Sequence, residues 1–237
     1  TSHGRIVVSL RSTVRVAQVV AAKDLRIELR SRVVTNQVVP FAGLVMVMFA
    51  FALDNDSMLE RVAGGLVWLA TLFSLFIVVQ RSFLIDTADG ALDALRVAGV
   101  DPSGIFVGKS VALAVQLLIL EVTVVGMAIV LYRVNVQPVS LVLLVTCMLC
   151  ATIGLAFVGT LYGGLAAGMR GRETLLPLLL LPAVEPVLIG ATKATEAAFG
   201  VGGVATSEGW PWVGLLAVFA VVFGFGGLSA FGPLIEE

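Results

Sequence analysis

The chain alternates long apolar blocks with short polar gaps, and the length of each block matches the thickness of a lipid bilayer. Six blocks, at approximately 33–53, 62–85, 105–131, 139–168, 175–192 and 212–232, carry almost no charge. A helix needs about 20 apolar residues, at about 1.5 Å each, to cross the hydrocarbon core, and each block meets or approaches that length. The pattern predicts an all-α membrane protein with six transmembrane helices. Residues 1–32 form a polar cytoplasmic arm, and 33–237 form a single transmembrane domain. Composition agrees: 59% of the 237 residues are hydrophobic and only 13% are charged. Mean hydropathy is +1.05. The blocks take up more than half the chain, which leaves no room for a soluble domain of ordinary size.

Net charge, −1, says little, but the placement of the basic residues orients the chain. Arg5, Arg11, Arg15, Lys23, Arg26, Arg30 and Arg32 lie before the first block, Arg81, Arg96 and Lys109 around the second gap, and Arg170 and Arg172 in the fourth. These are twelve of the fifteen Lys and Arg, leaving Arg61, Arg133 and Lys193 for the other side. The positive-inside rule then puts both termini of this multi-pass protein in the cytoplasm. The first block follows about thirty polar residues and lacks a small-residue cleavage pattern, so it reads as a span and not a signal peptide. The chain opens at Thr1, and an initiator methionine is expected ahead of it.

Two polar regions have helical patterns of their own. In the arm, Val14, Ala17, Ala21, Leu25 and Leu29 recur at helical spacing, with Arg11, Arg15, Lys23, Arg26 and Arg30 on other faces. This predicts an amphipathic helix in the headgroup layer, its cations directed at lipid phosphates. Between the second and third blocks, 86–99 predicts a short helix. Ala91, Leu92, Leu95 and Ala98 lie on one face, and Asp89, Asp93 and Arg96 on the other. Gly90 lies within it, and Asp101-Pro102 stops it. An element of this shape fits the groove of another protein.

Three motifs resemble chemistry but lack its context. Ser103-Gly-Ile-Phe-Val-Gly108-Lys109-Ser110 is one residue short of a P-loop, yet no βαβ unit surrounds it. Lys109 is expected at the cytoplasmic end of the third span, its ammonium among headgroups. Cys147-Met-Leu-Cys150 lies inside an apolar span, where cysteine acts as a small hydrophobe and not as a redox pair. His3 is the only histidine. No nucleophilic triad or paired-histidine metal site can be assembled, and nothing points to nucleic acid. The expectation is a non-catalytic membrane subunit.

Polar residues within the blocks are few. Glu121 lies near the middle of the third, and Glu185 lies in the fifth between Pro182 and Pro186, with Pro177 earlier. A carboxyl at such depth is expected to face a bundle interior, as a packing pin or as part of a path. The prolines lack N–H donors and are expected to bend or break the fifth helix, with Glu185 beside a cavity. Gly159-x-x-x-Gly163 and Gly164-x-x-x-Gly168 suit close helix contact. The gap 193–211 ends in the aromatic anchor Trp210-Pro-Trp212, and 197–205 is apolar enough to dip back into the membrane.

These residues carry a family resemblance. Lys23-Asp-Leu-Arg-Ile-Glu-Leu-Arg-Ser-Arg32, Gly65-Leu-Val-Trp68, Asp89-Gly90-x-Leu92-Asp93, Ile105-Phe-Val-Gly-Lys109, Leu120-Glu121, Gly154–Thr160, Leu175–Pro182 and Pro186–Glu196 occur in order over about 23–196. Together they resemble CcmB, the permease subunit of the ABC transporter for cytochrome c maturation. Asp93 stands where that family would have glutamate, and Glu185 where it is usually apolar. The resemblance implies six spans of the ABC-2 exporter type, with 86–99 as the cytoplasmic coupling helix. It implies three partners besides membrane lipids: a CcmA-like ATP-binding subunit, a CcmC-like haem-handling membrane subunit and, indirectly, a CcmE-like haem chaperone. ATP and haem would then be held by partners, and no cofactor by this subunit. The alternatives are an ABC-2 permease exporting a lipid or drug, and a non-transporting membrane scaffold.

Overall fold

A computed structural model describes residues 2–53, 55–88, 90, 97, 99–134, 136, 138–167 and 172–236. The secondary structure described is helical throughout. It comprises α1 Ser2–Ser31, α2 Val39–Ala52, α3 Asp56–Ala88, α4 Pro102–Leu131, α5 Pro138–Ala167, α6 Arg172–Phe199 and α7 Trp210–Glu236. Six stretches are long and apolar enough to span a membrane: Val34–Ala52, Ser57–Thr87, Pro102–Leu131, Pro138–Ala167, Thr174–Phe199 and Thr206–Pro233. Helices are the outcome expected in lipid, where each backbone N–H and C=O must find its partner within the chain.

The local sequence sets the helix limits. Pro102 and Pro138 open α4 and α5, where a missing N–H removes nothing that the first turn uses. The Asp101 carboxylate accepts from the Ser103 N–H at 3.0 Å and caps α4. Between α6 and α7 the chain turns at Gly200, Gly202 and Gly203, all at positive φ. α6 runs seven residues beyond the expected 192, so Ala197–Phe199 extend the helix, and two short 3-10 turns follow before Trp210.

α5 is the hub of the bundle, packed against α3, α4, α6 and α7, while α2 sits to one side, against α4 and α3. Glycines allow the close approaches. A Cβ at Gly163 would lie 2.5 Å from the Phe83 ring, and one at Gly164 2.7 Å from Phe231. Phe106 stacks on Phe157 at 5.7 Å and meets Phe231 at 5.5 Å, which joins α4, α5 and α7.

Three expectations are corrected here. Of the expected bend or break in α6, the break is absent: Pro177, Pro182 and Pro186 all lie inside one continuous helix. Pro182 and Pro186 are four apart and both exposed, so the bonds they forgo fall along one outer edge while the inner ladder continues. Secondly, Asp86 belongs to α3, which runs to Ala88, and does not begin a separate helix. Gly90 and Gly99 turn the chain at φ 61° and 64°. The residues expected to form the docking face, Asp89, Leu92, Asp93, Leu95 and Arg96, lie outside the described residues. Thirdly, α1 does not lie free on its apolar stripe. Val14 and Leu29 of that stripe are exposed, and the helix docks on α4 through Thr13, Val16, Ala17, Val20, Ala21 and Asp24.

Candidate functional site

α1 approaches α4 closely because two glycines make room for it. A Cβ at Gly104 would stand 2.8 Å from the Cβ of Val16, and one at Gly108 only 2.6 Å from the Ala17 carbonyl oxygen. The glycines of the P-loop-like string therefore serve as a docking strip for a helix.

Beside this strip lies a buried cluster of charge. Lys109, on α4, has a side chain only 2% exposed, where it was expected to reach headgroups. It is enclosed because α1 covers it, and its ammonium is fully engaged. It pairs with Asp24 on α1 at 3.2 Å and with Asp86 on α3, donates to the Ser82 hydroxyl at 3.1 Å, and lies 4.6 Å over the Phe83 ring. Lys23 completes the cluster, 2.5 Å from Asp86 and 3.2 Å from Asp24. Two cations thus face two carboxylates: Lys109, Asp24 and Asp86 are enclosed, and Lys23, 39% exposed, supplies the balancing charge from the surface. Partial burial pulls the Lys23 ammonium down. The hydrogen bond to Asp86 and the two negative neighbours outweigh that effect and hold it above the ordinary lysine value of 10.5.

One turn further along α1, Glu28 fixes the exit of the helix. Its Oε1 accepts from the Val34 N–H at 2.6 Å, and its Oε2 lies 3.8 Å from Arg81. Arg32 takes a left-handed φ of 51°, and a π-helical turn over Val34–Val38 leads into α2. At the other end, Thr13 donates to the carboxylate of Asp101.

The polar groups deeper in the bundle are separate from this site. Glu121 is fully buried; the Thr152 hydroxyl donates to its Oε2 at 2.7 Å, and Oε1 has no hydrogen-bond partner among the described residues. Trp68 donates to Thr195 at 2.9 Å, which ties α3 to α6, with the Sγ of Cys147 4.0 Å from the same hydroxyl. Cys147 and Cys150 are free thiols. Glu185, Pro182 and Pro186 are on the outer surface of α6. The side chain sits there because the inward face of the helix is filled by Leu180, Val184, Val187 and Ala191.

The charge cluster was missed from sequence because Asp24 and Lys109 stand 85 residues apart. A signal was present: Lys23-Asp24 and Glu28, one turn apart, share a face of a helix otherwise rich in arginine.

The geometry describes a clamp. Asp86 and Asp101 flank residues 89–98 on either side, and both are tied to α1, by Lys23 and by Thr13. Fold and site together define a multi-pass helical membrane protein with an N-terminal helix ion-paired to two of its spans.

The chain belongs to the CcmB protein family, whose profile matches residues 15–230. It is 29% identical over 182 residues to the Heme exporter protein B of Rhodobacter capsulatus, covering 76% of this chain and 83% of the relative. It is 31% identical over 179 residues to that of Bradyrhizobium diazoefficiens, covering 74% and 78%. The protein of the same name in Pseudomonas aeruginosa is 26% identical over 211 residues, 84% of this chain and 88% of the relative.

Proposed function

We propose that the chain is the membrane permease subunit of an ABC transporter complex for c-type cytochrome biogenesis. In it, ATP hydrolysis by a partner is coupled to haem delivery or to release of a haem chaperone. The reading rests on membership of a family whose relatives are named Heme exporter protein B. The ion-paired clamp at the flanks of 89–98 gives it a mechanical basis. On this reading α1 and both termini face the cytoplasm of the bacterial inner membrane. Gly90, Leu92 and Leu95, with Asp89, Asp93 and Arg96, form the contact with a CcmA-like ATPase.

When the ATPase moves its contact segment, the flanks cannot yield independently of α1, because Asp86 and Lys109 are fixed to Lys23 and Asp24. The displacement is carried to α1 and on to the first span. The subunit itself is non-catalytic. Haem is ligated by a CcmC-like partner and a CcmE-like chaperone, since His3, the only histidine here, precedes the spans.

Leu92→Asp and Leu95→Asp test the contact by co-purification in detergent. Each is expected to lose the ATPase while membrane insertion is unchanged, and wild-type levels of ATPase in both would sink the assignment. Cytochrome c maturation in a strain lacking the chain tests the pathway. Normal maturation in that strain, with the ATPase co-purifying with the chain from its parent, would replace this reading with an ABC-2 permease for a lipid or drug.

A further inference from the structure

At the end of the bundle that holds the charge clamp, α3, α5 and α6 leave between them a groove of about 200 Å³. α3 contributes Ile77, Phe83 and Leu84 to its lining, α5 the small residues Gly163 and Ala166, and α6 Leu176. Among the described lining residues only Gln80 and Arg81 are polar, and none is a histidine, cysteine, methionine or tyrosine that could ligate iron. Ile77 and Leu84 are exposed, so the groove opens on the outer surface of the bundle. Arg81 lies six residues before Thr87, and Leu176 two after Thr174, the limits of their spans. Arg81 thus stands about 9 Å inside the end of α3, where headgroups give way to acyl chains.

Arg81 is the unusual member of the lining. Its side chain is 24% exposed, and its Nη1 is buried with no hydrogen-bond acceptor among the described residues. Glu28, on α1, comes only to 3.8 Å, beyond hydrogen-bond length, and already accepts from the Val34 N–H. A guanidinium inside a span is costly unless something meets both its charge and its donors. Charge at this end is also uneven. After Lys23, Lys109 and Arg81 are set against Asp24, Asp86 and Glu28, the exposed Arg26, Arg30 and Arg32 are left in excess. An apolar groove with a guanidinium at its headgroup end, in a cationic neighbourhood, is complementary to a phosphate joined to an acyl chain.

We infer that this groove is a binding site for an anionic phospholipid, its phosphate accepting from Arg81 and one acyl chain lying against Ile77, Leu84 and Ala166. A free phosphate would leave the apolar lining uncovered, so the ligand is the lipid and not the ion. The inference does not rest on the proposed ATPase coupling or on the haem pathway, and its test is independent of both.

The test uses the full chain in phosphatidylcholine nanodiscs doped with phosphatidylglycerol that carries a photoreactive acyl chain, or with the matching phosphatidylcholine probe. Adducts are mapped by peptide mass spectrometry. The anionic probe is expected to label the 77–84 and 163–167 peptides about tenfold more than the zwitterionic one, the effect of one charge-assisted hydrogen bond. Arg81→Gln should bring the anionic signal down to the zwitterionic level. Ile77→Trp, which fills the groove from its exposed edge, should remove both. Glu28→Gln separates contact from fold. It removes the acid beside Arg81 without touching the groove, so labelling should hold or rise. If Arg81→Gln acted only by loosening α1, Glu28→Gln would lower the signal too. Unlabelled phosphatidylglycerol should compete, and inorganic phosphate should not. Four results would each overturn the inference: equal labelling by the two probes, parental labelling in Arg81→Gln, a loss in Glu28→Gln that matches the loss in Arg81→Gln, or competition by inorganic phosphate. Absence of the groove adducts when the anionic probe is supplied to the intact complex in its native membrane would overturn it as well, and would assign the groove to a protein contact.

Discussion

Replacing Lys109 with methionine keeps the length of the side chain and removes the cation that Asp24 and Asp86 share. Both carboxylates are largely enclosed, with side chains 9% and 4% exposed. Lys23 remains, but it cannot balance two acids. Removing one partner of a buried pair costs about 3–5 kcal/mol, because the other is left charged and uncompensated. The loss is local, since the carboxylates regain water when α1 lifts from α4 while the bundle stays intact. At about 1.4 kcal/mol per tenfold, the lower figure raises the open population of α1 about 100-fold. Ala21→Cys, on the docked face and only 8% exposed, reports that opening by maleimide labelling in detergent. The rate is expected to rise by about two orders of magnitude in Lys109→Met. Combining Lys109→Met with Asp86→Asn removes a matched pair of charges and leaves Lys23 with Asp24. The double variant should therefore label more slowly than the single one. A Lys109→Met rate within about threefold of the parent, or a double variant no better than the single, would refute the reasoning.

Gly108→Ala places a methyl against a main-chain oxygen that cannot rotate away, so it should undock α1 at about 1–3 kcal/mol in the same labelling assay. Gly65→Ala, with nothing within 4 Å of the new methyl, should be neutral there. Lys23 sets the response to pH. A raised lysine contributes stability that is complete below its ordinary value of 10.5 and lost as pH rises through its higher folded value. Thermal unfolding in detergent should thus differ between Lys23→Met and the parent by a constant amount around neutrality, the gap closing only at strongly alkaline pH.

The spans were legible because the bilayer imposes a length that composition alone reveals. Their ends were less so: Lys193–Phe199 carries Lys193 and Glu196 and runs straight into a glycine-rich gap, which hides a helix end whose Ala194, Ala197 and Ala198 pack inside. The arm was readable as a helix but not as a docked one. The partner face is made by Gly104 and Gly108, and the absence of a side chain leaves no periodic signal. The charge cluster was hidden for a different reason. Lys23, Asp24, Asp86 and Lys109 each look like ordinary surface charges, and only folding brings them together. The prolines of α6 were read for their average effect, whereas their spacing of four confines the lost bonds to one edge.

The clamp also bears on how the chain is made. Asp24 leaves the ribosome 85 residues before Lys109. At about 5–20 residues per second this is a delay of about 4–17 s. During that time Asp24 has its neighbour Lys23 for a cation, and Lys109 is still to come. The final seat of α1 does not exist until the third span has been inserted. α1 is thus synthesised before its seat exists, and it can dock only once α4 is in place.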